Sequence, residues 1–417
     1  MATASIKPWI AQKIEDRFGG FRQQANRIDP TLPRKLDQER TVAVIGGGIA
    51  GFTAAIELAR RGYTVSLFER NTYLGGKLGS WQETIGQGDD AQDVWVDHGF
   101  HAFFRHYYNF NRLLDSLDLR KGFIPIDDYM IIEQSGQRLG FKDVDTTPIL
   151  NMISMAQKGL FSWKDLIFSP AMRKLDPFLR YDPGRTFANF DDTSFEDFDR
   201  QAKLPTQLRL AFNTFSRAFF SDADRMSLAE LIKSFHFYYL GHDHGLLYDY
   251  PTGNYQDTIL GPMVEHLTQH GASIHTGQGV DTIERDEDGF RVHGQRFDRV
   301  VLATDVVGTR AILSNCPWIH EHPAWADRIT RLRPAQRYAV WRVWMDRDMG
   351  HGLPHFISTE RFNALDSVTF YHHYEKDCRD WAQKSGGGIY ELHSYALPDH
   401  LVEPEAIRQA LLADLVQ

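Results

Sequence analysis

Cysteine is scarce in this chain: 417 residues include only Cys316 and Cys378, and no CxxC spacing. A disulfide framework and a cysteine-rich zinc site are thereby excluded, and such usage implies a reducing compartment. A basic excess is missing as well. Lys and Arg number 46 against 55 Asp and Glu, a net charge of -9, which argues against a general nucleic-acid binder and its basic footprint. Residues 1–40 carry Pro8, Pro30 and Pro33 among scattered charges and offer no continuous apolar core of a signal peptide. The most hydrophobic stretch, Val42 to Ala59, holds four glycines and Glu57, so it does not read as a membrane span. A GxSxG elbow and a P-loop are also absent from the sequence, leaving ester and nucleotide hydrolysis without support.

What is present is ordinary for a folded protein, with 42% apolar and 24% charged residues. Dividing the length by about 150 residues per domain predicts two or three domains. Aromatic residues reach 13%, with 28 Phe, 16 Tyr and 9 Trp. That richness suits a bulky apolar ligand, and a large core would also account for much of it.

Residues 41–70 carry the first chemistry: TVAVIGGGIAGFTAAIELARRGYTVSLFER. Val42 to Ile45 is a short β-branched run, as expected of a parallel strand buried on both faces. Gly46, Gly48 and Gly51 then supply GxGxxG. The first permits a tight turn, the second lets backbone approach a pyrophosphate, and the third lets the helix pack on the strand. Ile49 and Ala50 open that helix, whose free N–H groups suit phosphates, and Gly62 ends it. A second strand, Thr64 to Phe68, leads into Glu69, 18 residues past Gly51, where an acid hydrogen-bonds adenosine ribose hydroxyls. Strand, glycines, helix, strand and acid in this order predict a dinucleotide site.

Arg70 follows, then a second glycine pair with a cation, Gly75-Gly76-Lys77. This extension resembles the FAD-specific cradle of the amine-oxidase-like flavoproteins, with Lys77 at the position of the usual Arg or Lys. The resemblance continues through VWVDHGFHAFFRHYYNFNRLLDSL (94–117), FHFYYLGHDHGLLYDYP (235–251), RYAVWRVWMDRDM (337–349) and GGGIYELHSYALP (386–398). Within the family the likeness is to carotenoid desaturases, in particular those that desaturate and aromatise the end rings of β-carotene-type molecules.

Several expectations follow from that likeness. The fold class is α/β, a Rossmann-type FAD-binding domain with an inserted α+β substrate domain. The implied organisation is an extension over 1–40, a discontinuous FAD domain (41–120 plus 251–310) and a substrate and membrane-associating domain (121–250 plus 311–417). FAD is the implied cofactor. Its implied ligands add His98 and Gly99 of the Asp97-His98-Gly99 turn, beside the isoalloxazine, and Val280, whose backbone meets the adenine. His101 and Asp97 are expected near the flavin, and no catalytic residue is assigned. The family makes a third return to FAD through a glycine–aspartate turn. Nothing after Thr304 supplies one, so this chain is expected to be a fragment, the alternative being that the missing part arrives from another chain.

The residues themselves predict strands at Ser273–Thr276, Val280–Arg285, Phe290–His293, Val300–Thr304 and Tyr338–Met345, and an amphipathic helix over 403–417. In 149–180, Phe161, Trp163, Leu166, Ile167 and Phe168 stand against Lys158, Lys164, Arg173 and Lys174. That mixture suits a peripheral membrane segment on the cytoplasmic face, or a buried helix with a solvated edge, broken in either case at Pro170. His98, His101, His242-Asp243-His244 and His372-His373 lack zinc-site spacing and are read as structural or surface histidines, with no metal assigned. Three activities stay in competition. They are a carotenoid desaturase using hydride transfer to flavin, an amine oxidase acting on a soluble cation, and a non-catalytic FAD-fold carotenoid binder.

Overall fold

The computed structural model describes residues 31, 34–86, 88, 91–126, 128–148, 150–159, 174–179, 181–243, 245–350, 352–360 and 362–417. The GxGxxG segment lies in a four-stranded, all-parallel sheet. Its order is Ser273–His275, Tyr63–Phe68, Arg40–Ile45, Arg299–Leu302. Side chains of the central strand alternate between two cores, as a two-residue period requires. Val42 and Val44 pack with Phe52, Ile56 and Met263 on one face. Ala43 and Ile45 pack with Val292, Phe297, Ile312 and Cys316 on the other. Registers pair Ile45 with both Phe68 and Leu302, and Phe68 with His275. All four strands therefore end along one edge, where ligands bind in open parallel sheets.

The strand expected over Val280–Arg285 is shorter than its sequence suggested. Only Glu284–Arg285 pairs, antiparallel to Phe290–Val292. Val280 and Ile283 are buried in the core under the sheet without joining a ladder, so their spacing reflects packing of a loop.

A second sheet has six strands, in the order Ala339–Met345, Gly388–Ser394, Ser367–Phe370, Phe356–Glu360, Met130–Glu133, Arg138–Gly140. Every residue of Gly388–Ser394 is buried. The helix Pro404–Leu415 packs on this sheet through Leu411. It is fastened by Asp414, whose Oδ2 accepts the N–H groups of Ala364 and Leu365 at 2.6 and 2.9 Å. A three-stranded patch joins Phe103–Phe104 and Phe123–Pro125 to Tyr248–Pro251.

A helical body has a core built from Phe178, Phe195, Phe212, Leu231, Ile232 and Phe235. Leu150–Gln157 is helical and buries Met155 in it. Of the basic, aromatic segment, Phe161, Trp163, Lys164, Leu166, Ile167, Phe168, Pro170 and Arg173 lie outside the described residues, as do residues 1–30 and His244. Among the described residues no helix is long and apolar enough to cross a membrane.

Candidate active site and cofactor cleft

The glycine loop is packed too closely for side chains at two of its glycines. Gly46 donates its N–H to the Phe68 carbonyl at 2.8 Å and has φ +107°, a conformation that favours glycine. A Cβ there would lie 2.6 Å from the Ala303 carbonyl oxygen, and one at Gly51 would lie 1.8 Å from the Gly46 oxygen. Gly48 differs. A Cβ added there meets only Gly75 O and Gly76 Cα, both at 3.9 Å. The helix Ile49–Arg60 starts at Gly48 with no side chain capping its first turn, leaving N–H groups for an anion.

Glu69 and the second glycine pair lock this loop in place. Glu69 is 7% exposed; its Oε2 accepts the Gly47 N–H at 2.8 Å and its Oε1 the Asn71 N–H at 2.9 Å. The Gly75 N–H donates to the Gly47 carbonyl at 2.8 Å, and Gly48 and Gly75 form a parallel bridge. Both glycine loops thus become one backbone surface. Lys77 extends from it, its Nζ 5.1 Å from the centre of the Tyr338 ring.

A cavity of about 840 Å³ opens on this surface. Of the residues expected at a cofactor, Gly46, Gly48, Ile49, Ala50, Glu69, Arg70, Gly75, Gly76, Lys77, His98 and Val280 line it. The described lining omits Gly51 and Gly99. Gly51 is buried beneath the loop, where it sets the helix–strand distance. Gly99 (φ +146°) faces Val340 and His393, and its carbonyl accepts the Tyr255 hydroxyl at 2.9 Å.

Sequence reasoning missed part of the wall. Ala303, Thr304 and Asp305 line the cavity at the exit of the Arg299–Leu302 strand. Asp305 also caps the next helix, Val306–Ser314, by accepting the Gly308 N–H at 2.6 Å. The available signal was the rule that strand carboxyl ends face the ligand. Ala102, Phe103, Tyr107 and Phe110 complete the opposite end. They belong to a quoted string whose side-chain directions its spacing did not reveal.

Behind that end sits a buried charge network. Asp97 Oδ1 accepts the Tyr255 N–H at 3.0 Å, and Glu391 Oε1 accepts the Phe100 N–H at 2.6 Å, so both ends of the Asp97–Phe100 turn are pinned. Burial pushes the Asp97 carboxyl up to about 6. Burial also works to raise Glu391, but Arg342 and His393 outweigh it and bring that carboxyl down to about 2. His98 is held below its ordinary range by burial and then by Lys77. His101 is lowered by burial, and its Nε2 lies 2.7 Å from the Lys77 carbonyl. At neutral pH this cavity end therefore presents two uncharged imidazoles.

The family model for flavin containing amine oxidoreductases matches residues 49–417. The chain belongs to that family. As a flavin containing amine oxidoreductase family member it is an FAD-dependent oxidoreductase, and the cleft fits the cofactor. Its evidence is the fused glycine backbones, the uncapped helix terminus and the open space at Gly48. Among relatives, a carotenoid phi-ring synthase from Streptomyces griseus is 35% identical over 94% of this chain and 79% of its own length. A carotenoid phi-ring synthase from Chlorobaculum tepidum is 25% identical, covering 92% and 78%. A zeta-carotene desaturase from Synechocystis sp. is 24% identical over 65% and 59%. Solved structures share the fold of this flavoprotein. Putrescine oxidase bound to putrescine superimposes with a TM-score of 0.62 at 16% identity, covering 91% of this chain and 81% of its own. Cyclohexylamine oxidase from Brevibacterium oxydans gives 0.61 at 17%, with the same coverage.

Proposed function

We propose that the chain oxidises a carotenoid at its end ring, desaturating and aromatising it. The observation that carries this reading is the 35% identity with the Streptomyces phi-ring synthase across 94% of the chain. When bound, FAD supplies the acceptor for the hydride that leaves the substrate. Gly46, Gly48, Ile49, Ala50, Gly75, Gly76 and Lys77 would hold its phosphates, and Glu69 and Arg70 its ribose. Val280 would meet the adenine and His98 the isoalloxazine, with Gly99 shaping the turn that carries His98. In this reading 41–120 and 251–310 form a Rossmann-type FAD domain, and 121–250 with 311–417 the substrate domain.

A second cavity, of about 870 Å³, supports a long apolar substrate. Its apolar side is Tyr181, Phe219, Phe220, Met226, Phe237 and Tyr238, and Arg225, Glu230, Lys233 and Gln336 are among the polar groups that also line it. Phe237 and Tyr238 belong to a π-helical turn, His236–Leu240, a feature frequent at functional sites. Side-chain contacts join this cavity to the cofactor cleft. The Tyr238 hydroxyl lies 2.8 Å from that of Tyr107. The Phe220 ring lies 5.2 Å from Tyr338, whose hydroxyl is 3.3 Å from the His98 ring nitrogens. Phe220 has φ +63°, strain of the kind that collects at functional sites. Aromatic faces here favour positive charge on a rearranging ring.

A carotenoid must be taken from a bilayer, and the basic, aromatic 149–180 segment is our candidate for peripheral attachment at the cytoplasmic membrane face. The test is incubation of the flavin-loaded protein with liposomes containing a carotenoid with β-type end rings. Chromatography is expected to show a product with an aromatic ring. Peroxide production from a soluble amine with no change in the polyene would overturn the reading.

A further inference from the structure

We propose that Asp348, His372 and His373 bind a divalent transition metal ion, with zinc as the matching chemistry. Sequence spacing hides the site, because its carboxylate comes from another element. Asp348 follows the strand Ala339–Met345, whereas both histidines belong to the tight turn Tyr371–His373 that precedes the helix Lys376–Ser385. One ligand atom from each of the three lies within 4.8 Å of the others.

The first pair already has metal-site spacing. Asp348 Oδ1 and His372 Nε2 are 3.2 Å apart. Two ligands on a tetrahedral zinc ion, at bonds of about 2.0–2.2 Å, stand about 3.4 Å from each other. An Asp–His ion pair accounts for those two groups, and the His373 ring, stacked on Phe370 at 5.2 Å, brings a second imidazole to the same place. The His373 ring is 4.5 Å from that of His372, and His355 adds a third ring 5.6 Å from His373.

The groups that orient metal ligands are also present. Ligating histidines donate their other ring N–H to a carbonyl, and ligating carboxylates are themselves hydrogen-bonded. His372 Nδ1 lies 3.0 Å from the Ile389 carbonyl, so the tautomer protonated there turns the Nε2 lone pair toward Asp348. The Ile389 N–H is also 3.0 Å from Nδ1 and serves the other tautomer, which metal binding would displace. Asp348 Oδ1 accepts the Gly350 N–H at 2.7 Å and the Tyr390 hydroxyl at 2.8 Å. Two imidazoles and one carboxylate suit zinc, cobalt or nickel rather than magnesium or calcium. The ion would clip the exit of one sheet strand to the turn bearing Tyr371, whose ring lies 3.9 Å from the Arg342 guanidinium.

The test uses the full chain carrying its flavin, stripped with a chelator and then titrated with zinc chloride in a calorimeter, with elemental analysis after dialysis. One zinc per chain is expected, with a rise in Tm. Affinity should fall at least tenfold in both Asp348→Asn and His373→Ala, with the flavin spectrum reporting that each variant is folded. His373 is only partly buried, so that variant keeps the test open should Asp348→Asn misfold. Absence of stoichiometric zinc, or zinc held equally well by a folded His373→Ala, would overturn the proposal.

Discussion

Arg342 and Glu391 face each other across 2.8 Å with 5% and 0% of their side chains exposed. The same carboxylate, through its other oxygen, accepts the Phe100 N–H beside the cofactor turn. Such a pair is weak evidence for stability in itself, but removing one charge strands the other in a low-dielectric interior. Glu391→Gln should therefore destabilise the protein by about 3–5 kcal/mol, read from urea unfolding followed by tryptophan fluorescence. A loss below about 1 kcal/mol, the size typical of exposed pairs, would mean that water reaches Arg342.

Asp97 gives a pH dependence of opposite sign to that of Glu391. Its folded-state value is raised from 3.8 to about 6, chiefly by burial. Between those values the native state binds the proton more tightly than the unfolded chain. Its contribution to stability thus falls as pH rises through the window, by about 3 kcal/mol in total, and is flat above it. Glu391, held near 2, contributes stability that is full above its unfolded value and lost only as pH falls toward 2. The gap between wild type and Asp97→Asn should narrow or invert from pH 4 to pH 7, measured by denaturant midpoints. A constant gap would show that Asp97 stays ionised throughout.

The legible part of this molecule is its contiguous part. Strand, glycine loop, helix and acid lie within thirty residues, so each local preference could be checked against its neighbour. Tertiary pairing is what the sequence hides. Glu391 reaches the Phe100 N–H across 291 positions, Tyr238 meets Tyr107 across 131, and no period in either string announces its partner. Val280 and Ile283 show the converse error. Their apolar spacing suggested a strand, but burial under the neighbouring sheet satisfies them without ladder pairing. Gly51 belongs to the same motif as Gly48, and its geometry serves the packing of helix on strand.

That distinction between glycines can be measured. A Cβ at Gly51 would overlap the Gly46 oxygen at 1.8 Å, whereas one at Gly48 has ordinary contacts at 3.9 Å. Gly51→Ala should fail to accumulate as soluble, folded protein. Gly48→Ala should fold with near wild-type circular dichroism yet bind FAD at least about tenfold more weakly, about 1.4 kcal/mol. Normal FAD affinity in Gly48→Ala would remove Gly48 from the phosphate surface.

Glu69 has two jobs that substitution can separate. Its carboxylate holds the N–H groups of Gly47 and Asn71 and is our candidate ligand for the ribose hydroxyls. Hydrogen bonds to a charged group contribute about 1.5–3 kcal/mol each, so Glu69→Ala should weaken FAD binding by roughly tenfold to a hundredfold and also loosen the glycine loop. Glu69→Gln keeps the shape and one acceptor oxygen while removing the charge, so one of the two N–H groups loses its acceptor, and it should recover part of the loop's stability and part of the affinity. Fluorescence titration of the apoprotein with FAD, paired with thermal unfolding of the same samples, reads both quantities. Equal FAD affinity in wild type and Glu69→Ala would overturn the ribose assignment. Full rescue of affinity by Gln would instead assign Glu69 to the loop alone.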